Sequence, residues 1–243
     1  MTASNAKAGS RVVLVIDVGG THVKMLSTGQ KEARKFPSGP KMTASAMATQ
    51  VKQAVRDWKY SCVSIGYPGP VINGRPLREP HNLGGGWMGF DFQKAFGCPV
   101  KLVNDASMQA IGSYQGGKML FLGLGTGLGS AMIVNGVLEP MELAHLIYRK
   151  DKTYEDYLGI RGLDRLGKKK WRSYVLKVCE QLKSALEADY IVLGGGNVRK
   201  LKHLPPGTRM GNNDNAFKGG FRLWEKSEAG LQDTAAVTPT RKK

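Results

Sequence analysis

A chain of 243 residues, 41% hydrophobic and 23% charged, has the composition of a globular protein built as one large domain or two modest ones. No apolar run approaches the roughly 20 residues of a membrane helix and the opening MTASNAKAGS lacks the apolar centre of a secretion signal. Cys62, Cys98 and Cys179 are too scattered for a disulfide framework or a zinc site, so a cytoplasmic protein with buried thiols is expected. Lys and Arg number 36 against 19 Asp and Glu, a net charge of +17 with a pI near 9.9, which points to a polyanionic partner such as nucleic acid, an anionic lipid surface or inorganic polyphosphate.

The first ten residues and the stretch 225–243 (EKSEAGLQDTAAVTPTRKK) are poor in large apolar side chains and are expected to be disordered. Between them, the β-branched run Val12 to Val18 predicts a buried strand, and VIDVGGTH at its end predicts a sharp reversal into a second strand ending near Thr28. Backbone amides converging on such a turn favour an anion, whereas Asp17 repels one unless a cation or a transferable proton lies between; phosphate with magnesium fits both. The octapeptide alone reads equally well as a plain hairpin turn capped by Asp17. A loop containing FPSGP leads to MTASAMATQVKQAVRDW, whose Ala46, Met47, Val51, Ala54, Val55 and Trp58 follow helical spacing. CVSIGYPGPVING predicts a strand ending in a Gly-Pro turn, CPVKLVNDA a strand ending in polar residues, and SMQAIGSYQ a helix.

KMLFLGLGTGLGSAMIVNGVLEP then repeats the opening: apolar strand, Gly/Thr turn, apolar strand, Asn-Gly. GGTHVKMLSTG at 19–29 and TGLGSAMIVNG at 126–136 fall in step, an internal duplication with a period of about 107 residues, too long for a solenoid and suited to two similar α/β lobes. Lobes at 11–115 and 116–224 are expected. Between Ile147 and Lys177 ten basic residues face four acidic ones, including GKKKWR at 167–172; a solvated helix face would look the same. A helical pattern runs from Trp171 to Leu186, and DYIVLGGGNVRK predicts a strand, three glycines and a further helix, the glycines letting backbone approach a flat or phosphate-bearing ligand.

Three glycine-bearing strand ends (Asp17 to Thr21, Gly125 to Gly129, Gly194 to Gly196), in this order and with the VND segment, resemble the sugar-kinase branch of the actin, hexokinase and heat-shock-chaperone superfamily. Within it they resemble the ROK family of repressors, open reading frames and sugar kinases, from about Val12 to Trp224. The resemblance implies an α/β fold of two ribonuclease-H-like lobes with a cleft for sugar and phosphoryl donor between them. It implies that Asp17 orients magnesium through water while Gly19, Gly20, Thr21 and Lys24 attend the transferring phosphate, with Gly125, Thr126 and Gly127 around the donor chain. IVLGGG, with Gly194, Gly195 and Gly196, resembles the segment that contacts adenosine in ATP-using relatives. EPHNLGGGW and LVNDA resemble the sugar loop and the catalytic strand end, implying contacts from Asn82 and Asn104 and a base at Asp105. MELAH matches the Glu-x-Gly-His sugar motif, with Glu142 and His145 as hydroxyl partners. Read without the resemblance, Asn104-Asp105 is a helix cap and His145 a satisfied core histidine.

Two departures from the family pattern stand out: Ala144 replaces a glycine, and the cysteine-rich zinc segment expected after His145 is absent from LIYRKDKTYEDYLGIRGL. In lacking zinc the chain resembles the polyphosphate glucokinase subgroup. Glu155 is a candidate further sugar-contacting acid, against the plainer reading of an exposed acid opening a helix. The implied reaction moves a phosphoryl group from polyphosphate or ATP to the 6-hydroxyl of glucose, in a homodimer. Lys168, Lys169, Lys170 and Arg172, with Arg199 and Lys200 as a second group, are the candidate track for a long polyanion. An ATP-dependent kinase for fructose, mannose or an N-acetyl sugar, and a non-catalytic polyanion binder, are the alternatives. A sugar-sensing DNA-binding regulator is not expected, because only about eleven residues precede the first strand where a helix-turn-helix needs about three helices.

Overall fold

The computed structural model describes residues 11–212 and 214–225; the ends expected to be disordered, apart from Glu225, lie outside them. The first half of the chain forms β1 (Val13–Val18), β2 (His22–Ser27), β3 (Arg34–Pro37), α1 (Ala44–Ala54), β4 (Cys62–Tyr67), the short hairpin strands β5 (Val71–Ile72) and β6 (Arg75–Pro76), α2 (Phe92–Phe96), β7 (Val100–Asn104) and α3 (Asp105–Ser113). The second half forms β8 (Lys118–Leu124), β9 (Leu128–Val134), β10 (Val137–Met141), a second short hairpin of β11 (Ile147–Arg149) and β12 (Lys152–Thr153), α4 (Tyr154–Leu158), α5 (Ile160–Ala185), β13 (Tyr190–Gly194), β14 (Thr208–Met210) and α6 (Asn215–Arg222).

Two five-stranded sheets result, ordered β3-β2-β1-β4-β7 and β10-β9-β8-β13-β14. In each, three antiparallel strands continue into two parallel ones, so the duplication visible in the glycine turns extends to the whole sheet. β1 is central and buried on both faces, which is why it reads as an apolar run up to Asp17. Its alternation sorts the core: Leu14, Ile16 and Val18 pack with Met47 and Val51 of α1 and with Trp87, while Val13 and Val15 pack with Met108 of α3 and Ala216 and Phe217 of α6. In the second sheet Leu120, Leu122 and Leu124 meet Trp171, Val175 and Val178 of α5, while Met119 and Phe121 meet Ala106, Ala110 and Ile111 of α3. Helix α3 therefore presents different residues to each sheet.

Several sequence expectations change. α6 follows the second sheet in the chain but packs on the first: Trp224 Nε1 donates to Ser64 Oγ at 2.9 Å and Ser64 Oγ to the Gly220 carbonyl at 2.6 Å, so residues 215–224 depart from the expected 116–224 lobe. The loop containing FPSGP holds the edge strand β3. The helix expected from Trp171 starts at Ile160 and breaks at Gly167 (φ 71°), so Lys168 does open a helical segment, after a kink rather than after a loop. Only a 3-10 turn, Gly196–Lys200, follows the glycine triplet. All three cysteines are free; burial pushes the Cys179 thiol up to about 12, while Cys98 is only half-buried.

Candidate active site

Asp17 is the last residue but one of β1, directly opposite Lys24 on β2 and beside Gly66 on β4. The turn beyond it is closed by Gly19 N–H donating to the His22 carbonyl at 3.0 Å, and is braced by Ser38, whose Oγ donates to the Gly19 carbonyl at 2.6 Å and whose N–H donates to that of Thr21 at 2.9 Å. Thr21 and Gly20 stay exposed at the tip. Lys24 Nζ lies 4.0 Å from Asp17 Oδ2, so the lysine expected to attend phosphate faces the acid of its own hairpin.

Asp105 is the first residue of α3, with Asn104 as its cap: Asn104 Oδ1 accepts from Ser107 N–H at 3.1 Å and its Nδ2 donates to the Gly69 carbonyl at 3.0 Å. The Asn104 amide, a sugar contact by resemblance, is thus engaged at both ends by protein. Gly66, beside Asp17 on β4, makes room for the Met108 side chain of α3, which a Cβ there would meet, and for the start of that helix, the Asp105 Cα lying 3.6 Å from where the Cβ would be. Burial, then the charge of Asp17 and the smaller effect of Glu142, push the Asp105 carboxyl up to about 7, although its Oδ1 accepts from Ala106 N–H at 2.7 Å. Asp17 is raised by its own burial, with Lys24 opposing.

From the second sheet, Glu142 precedes a 3-10 turn, Leu143–His145, that buries Leu143 and Ala144 and leaves His145 Nε2 3.7 Å from Glu142 Oε2. His145 is 71% exposed, which excludes a core histidine and leaves its ring open to a ligand. Ala144 does not occupy the positive-φ region, so its side chain costs the turn no strain. The Glu142 carboxyl is raised by burial and by Glu155, against His145 and Arg78. Asp17, Asp105, Glu142 and Glu155 therefore form a series of acids drawn from both sheets, neighbouring members coupled through their charges. Such a series in a strongly basic chain favours a cation or a shared proton.

Glu155 is not a plain exposed acid: Oε2 accepts from Leu128 N–H at 3.1 Å and Oε1 pairs with Arg161 Nη2 at 3.1 Å. It braces the second glycine turn, which Ile160 N–H also holds, at the Thr126 carbonyl, 3.1 Å. Asn197, unremarked in the sequence although it follows the glycine triplet, donates from Nδ2 to the Gly125 carbonyl at 2.9 Å. Within the triplet, Gly195 has φ 81° and a Cβ there would lie 2.5 Å from the Leu124 carbonyl oxygen, and Gly194 packs against Phe121; these two serve close packing, while Gly196 has open space. Asn82 comes to the first turn: its Cβ is 3.5 Å from where a Gly20 Cβ would be. Lys168, Lys169 and Lys170 are exposed, and Arg172 Nε donates to the Lys200 carbonyl at 2.6 Å, which makes the two basic groups neighbours but engages Arg172.

A family model described as the ROK family matches residues 13–139. The polyphosphate glucokinase of Mycobacterium tuberculosis is 28% identical over 212 residues, spanning 79% of this chain and 80% of the relative. The Mycobacterium leprae polyphosphate glucokinase is 27% identical over 212 residues, spanning 79% of this chain and 65% of that one. Among solved structures, the inorganic polyphosphate/ATP-glucomannokinase of Arthrobacter sp. strain KM superposes with a TM-score of 0.75 at 22% identity, covering 88% of this chain and 98% of that chain. A glucokinase from Streptomyces griseus in complex with glucose and AMPPNP gives 0.68 at 15% identity, covering 87% and 98%.

Proposed function

The chain belongs to the ROK family, and from that premise we propose that it is a glucokinase-type phosphotransferase, moving a phosphoryl group from polyphosphate or ATP to the 6-hydroxyl of glucose. The observation that carries the reading is the Asp105 carboxyl, held near neutrality beside Asp17 at the point where the two sheets contribute acids to one place. A sugar hydroxyl is a weak nucleophile, and a carboxylate of near-neutral acidity accepts its proton at little cost while being about half ionised at pH 7 and largely ionised about one pH unit higher. Glu142, His145 and Asn82 orient the sugar hydroxyls, and Asn104 keeps α3 in register so that the base is presented at the helix start. The exposed amides of the first turn receive the transferring phosphoryl group, and the turn at Gly125 to Gly127 receives the donor chain.

Asp17 would hold a magnesium ion through water, the donor phosphates supplying its other ligands. Magnesium, when bound, would neutralise charge on the transferring group. Activity is expected to require added magnesium and to survive chelation of zinc, since no cysteine follows His145 before Cys179; loss of activity restored by zinc alone would contradict this.

Lys168, Lys169 and Lys170, with Arg199 and Lys200 beside them, form the track for donor phosphates beyond those that ATP presents. A long polyanion held by several lysines loses affinity steeply with salt, and compact Mg-ATP loses less. The test is sugar phosphate formation with long-chain polyphosphate and with ATP, at low and moderate salt, in the wild type and a Lys168→Ala, Lys169→Ala, Lys170→Ala triple variant. The variant should weaken polyphosphate use about tenfold and ATP use by less than about twofold, three charges having been removed from one polyanion. Equal loss for both donors would leave an ATP-dependent sugar kinase. We place the enzyme in the cytoplasm as a homodimer, to be checked by fractionation and by light scattering.

A further inference from the structure

Residues 80–86 carry Asn82 and form a loop whose mouth one side chain closes. Glu79 Oε2 accepts from Trp87 N–H at 3.0 Å and Oε1 accepts from Met88 N–H at 3.1 Å, so a single carboxylate grips two consecutive amides on the far side of the loop. Both ends are anchored independently. The buried Tyr67 donates from its hydroxyl to the Arg78 carbonyl at 2.6 Å, and the fully buried Trp87 packs its ring 5.5 Å from that of Tyr67 and 6.3 Å from that of Phe92. Inside, Trp87 Nε1 donates to the Gly84 carbonyl at 2.7 Å and Gly84 N–H to the Met42 carbonyl at 3.0 Å.

Between these anchors lie three consecutive glycines, Gly84 to Gly86, the last with φ 81°. Such a stretch has little stiffness of its own. Its shape, and with it the place of Asn82 beside Gly20, depends on the two hydrogen bonds at Gly84 and on the closures at its ends. Glu79 touches neither the acid series nor the glycine turns among its hydrogen-bond partners, and the phosphoryl-transfer mechanism above makes no use of it.

We propose that Glu79 is a positioning residue for the sugar site: by clamping the amides of Trp87 and Met88 it holds the glycine-rich loop in the shape that keeps Asn82 over the first phosphate turn. The inference rests on the sugar-kinase reading above. Glu79→Ala opens the mouth and should raise the glucose KM about tenfold while kcat and the donor KM change by less than about threefold, because the residue the loop places, Asn82, is assigned to the sugar hydroxyls while backbone amides of the turn receive the phosphoryl group. Glu79→Gln keeps one acceptor and should fall between. If Glu79 acts through Asn82, a Glu79→Ala, Asn82→Ala double variant should match Asn82→Ala alone in glucose KM.

Amide hydrogen exchange in the full-length protein supplies a readout independent of sugar: exchange across residues 80–88 should rise in Glu79→Ala and stay unchanged in β1, β4 and α3. Unchanged exchange, an unchanged glucose KM despite a lowered melting temperature, or additive effects in the double variant would each overturn the proposal. Wild-type protein that makes no glucose phosphate would instead overturn the kinase reading, and the exchange data would still decide the clamp.

Discussion

Asp105→Asn is expected to lower kcat by about two to four orders of magnitude while leaving glucose affinity within a few-fold, since the amide keeps a hydrogen bond but accepts no proton. Glucose binding measured without donor, set beside turnover with donor, checks both halves; turnover within a few-fold of wild type would remove Asp105 from the role of base. The wild-type pH profile should carry the same signature. With the carboxyl raised to about 7, kcat/KM should fall about tenfold per pH unit below that value and level off above it. Loss of the Asp17 charge, as in Asp17→Asn, should move the inflection down, because Asp17 is the larger of the two charges that raise it. Stability should move the opposite way to activity. A carboxyl whose acidity in the folded state lies above the ordinary 3.8 holds its proton more tightly folded than unfolded, so its contribution is full below about pH 4 and is lost as pH rises to about 7. Asp105→Asn should therefore melt higher than wild type at pH 8, the difference shrinking toward pH 4.

Gly219→Ala is expected to destabilise the fold by about 3 kcal/mol or more, the upper end of what overpacking costs. Helices α3 and α6 cross at Gly112 and Gly219, and a Cβ on either would drive into a backbone carbonyl of the other helix, Asn215 from Gly112 and Met108 from Gly219. A flexible side-chain tip can turn aside; a helix carbonyl cannot, so the helices must part. The crossing is tied on both sides. Arg222 Nη1 donates to the carbonyls of Ile111 at 2.8 Å and Tyr114 at 3.2 Å, and Asn215 Nδ2 to Ser113 Oγ at 2.8 Å. For a chain of this size the melting temperature should fall by roughly 6 to 12 °C. Because α3 begins at Asp105, the displacement should also cost kcat, on the order of a hundredfold for a shift near 1 Å. Lys218→Ala, on the exposed face of the same helix, should stay within about 0.5 kcal/mol of wild type. A Gly219→Ala protein that melts and turns over like the Lys218→Ala control would show that the crossing relaxes freely.

Much of this architecture was legible in the chain itself. The apolar run at Val13–Val18, the helical spacing from Ala46 to Val55, the Asn-Asp helix start at 104–105 and the echo of GGTHVKMLSTG in TGLGSAMIVNG are each set by a few consecutive residues. The edge strands β3 and β14 were not legible, at four and three residues too short to carry a period. Nor was the docking of α6, whose apolar side is shared between the first sheet and α3 only because the chain doubles back after β14. The glycines had a second use that the letters did not show: IVLGGG read as room for a ligand, and Gly194 and Gly195 also make room for Phe121 and Leu124. Acidic residues likewise stood in plain view as letters, but what they do depended on neighbours far away in sequence. Asp105 is near neutral because the fold buries it and then sets the charge of Asp17 near it, Glu155 braces a turn because Leu128 offers it an amide, and Lys24 is drawn to an acid opposite it on the hairpin. Strand and helix periods are short-range and survive in any window of the sequence, whereas the charge on a carboxyl is decided by burial and by the nearest other charge, and both exist only once the two sheets have closed around α3.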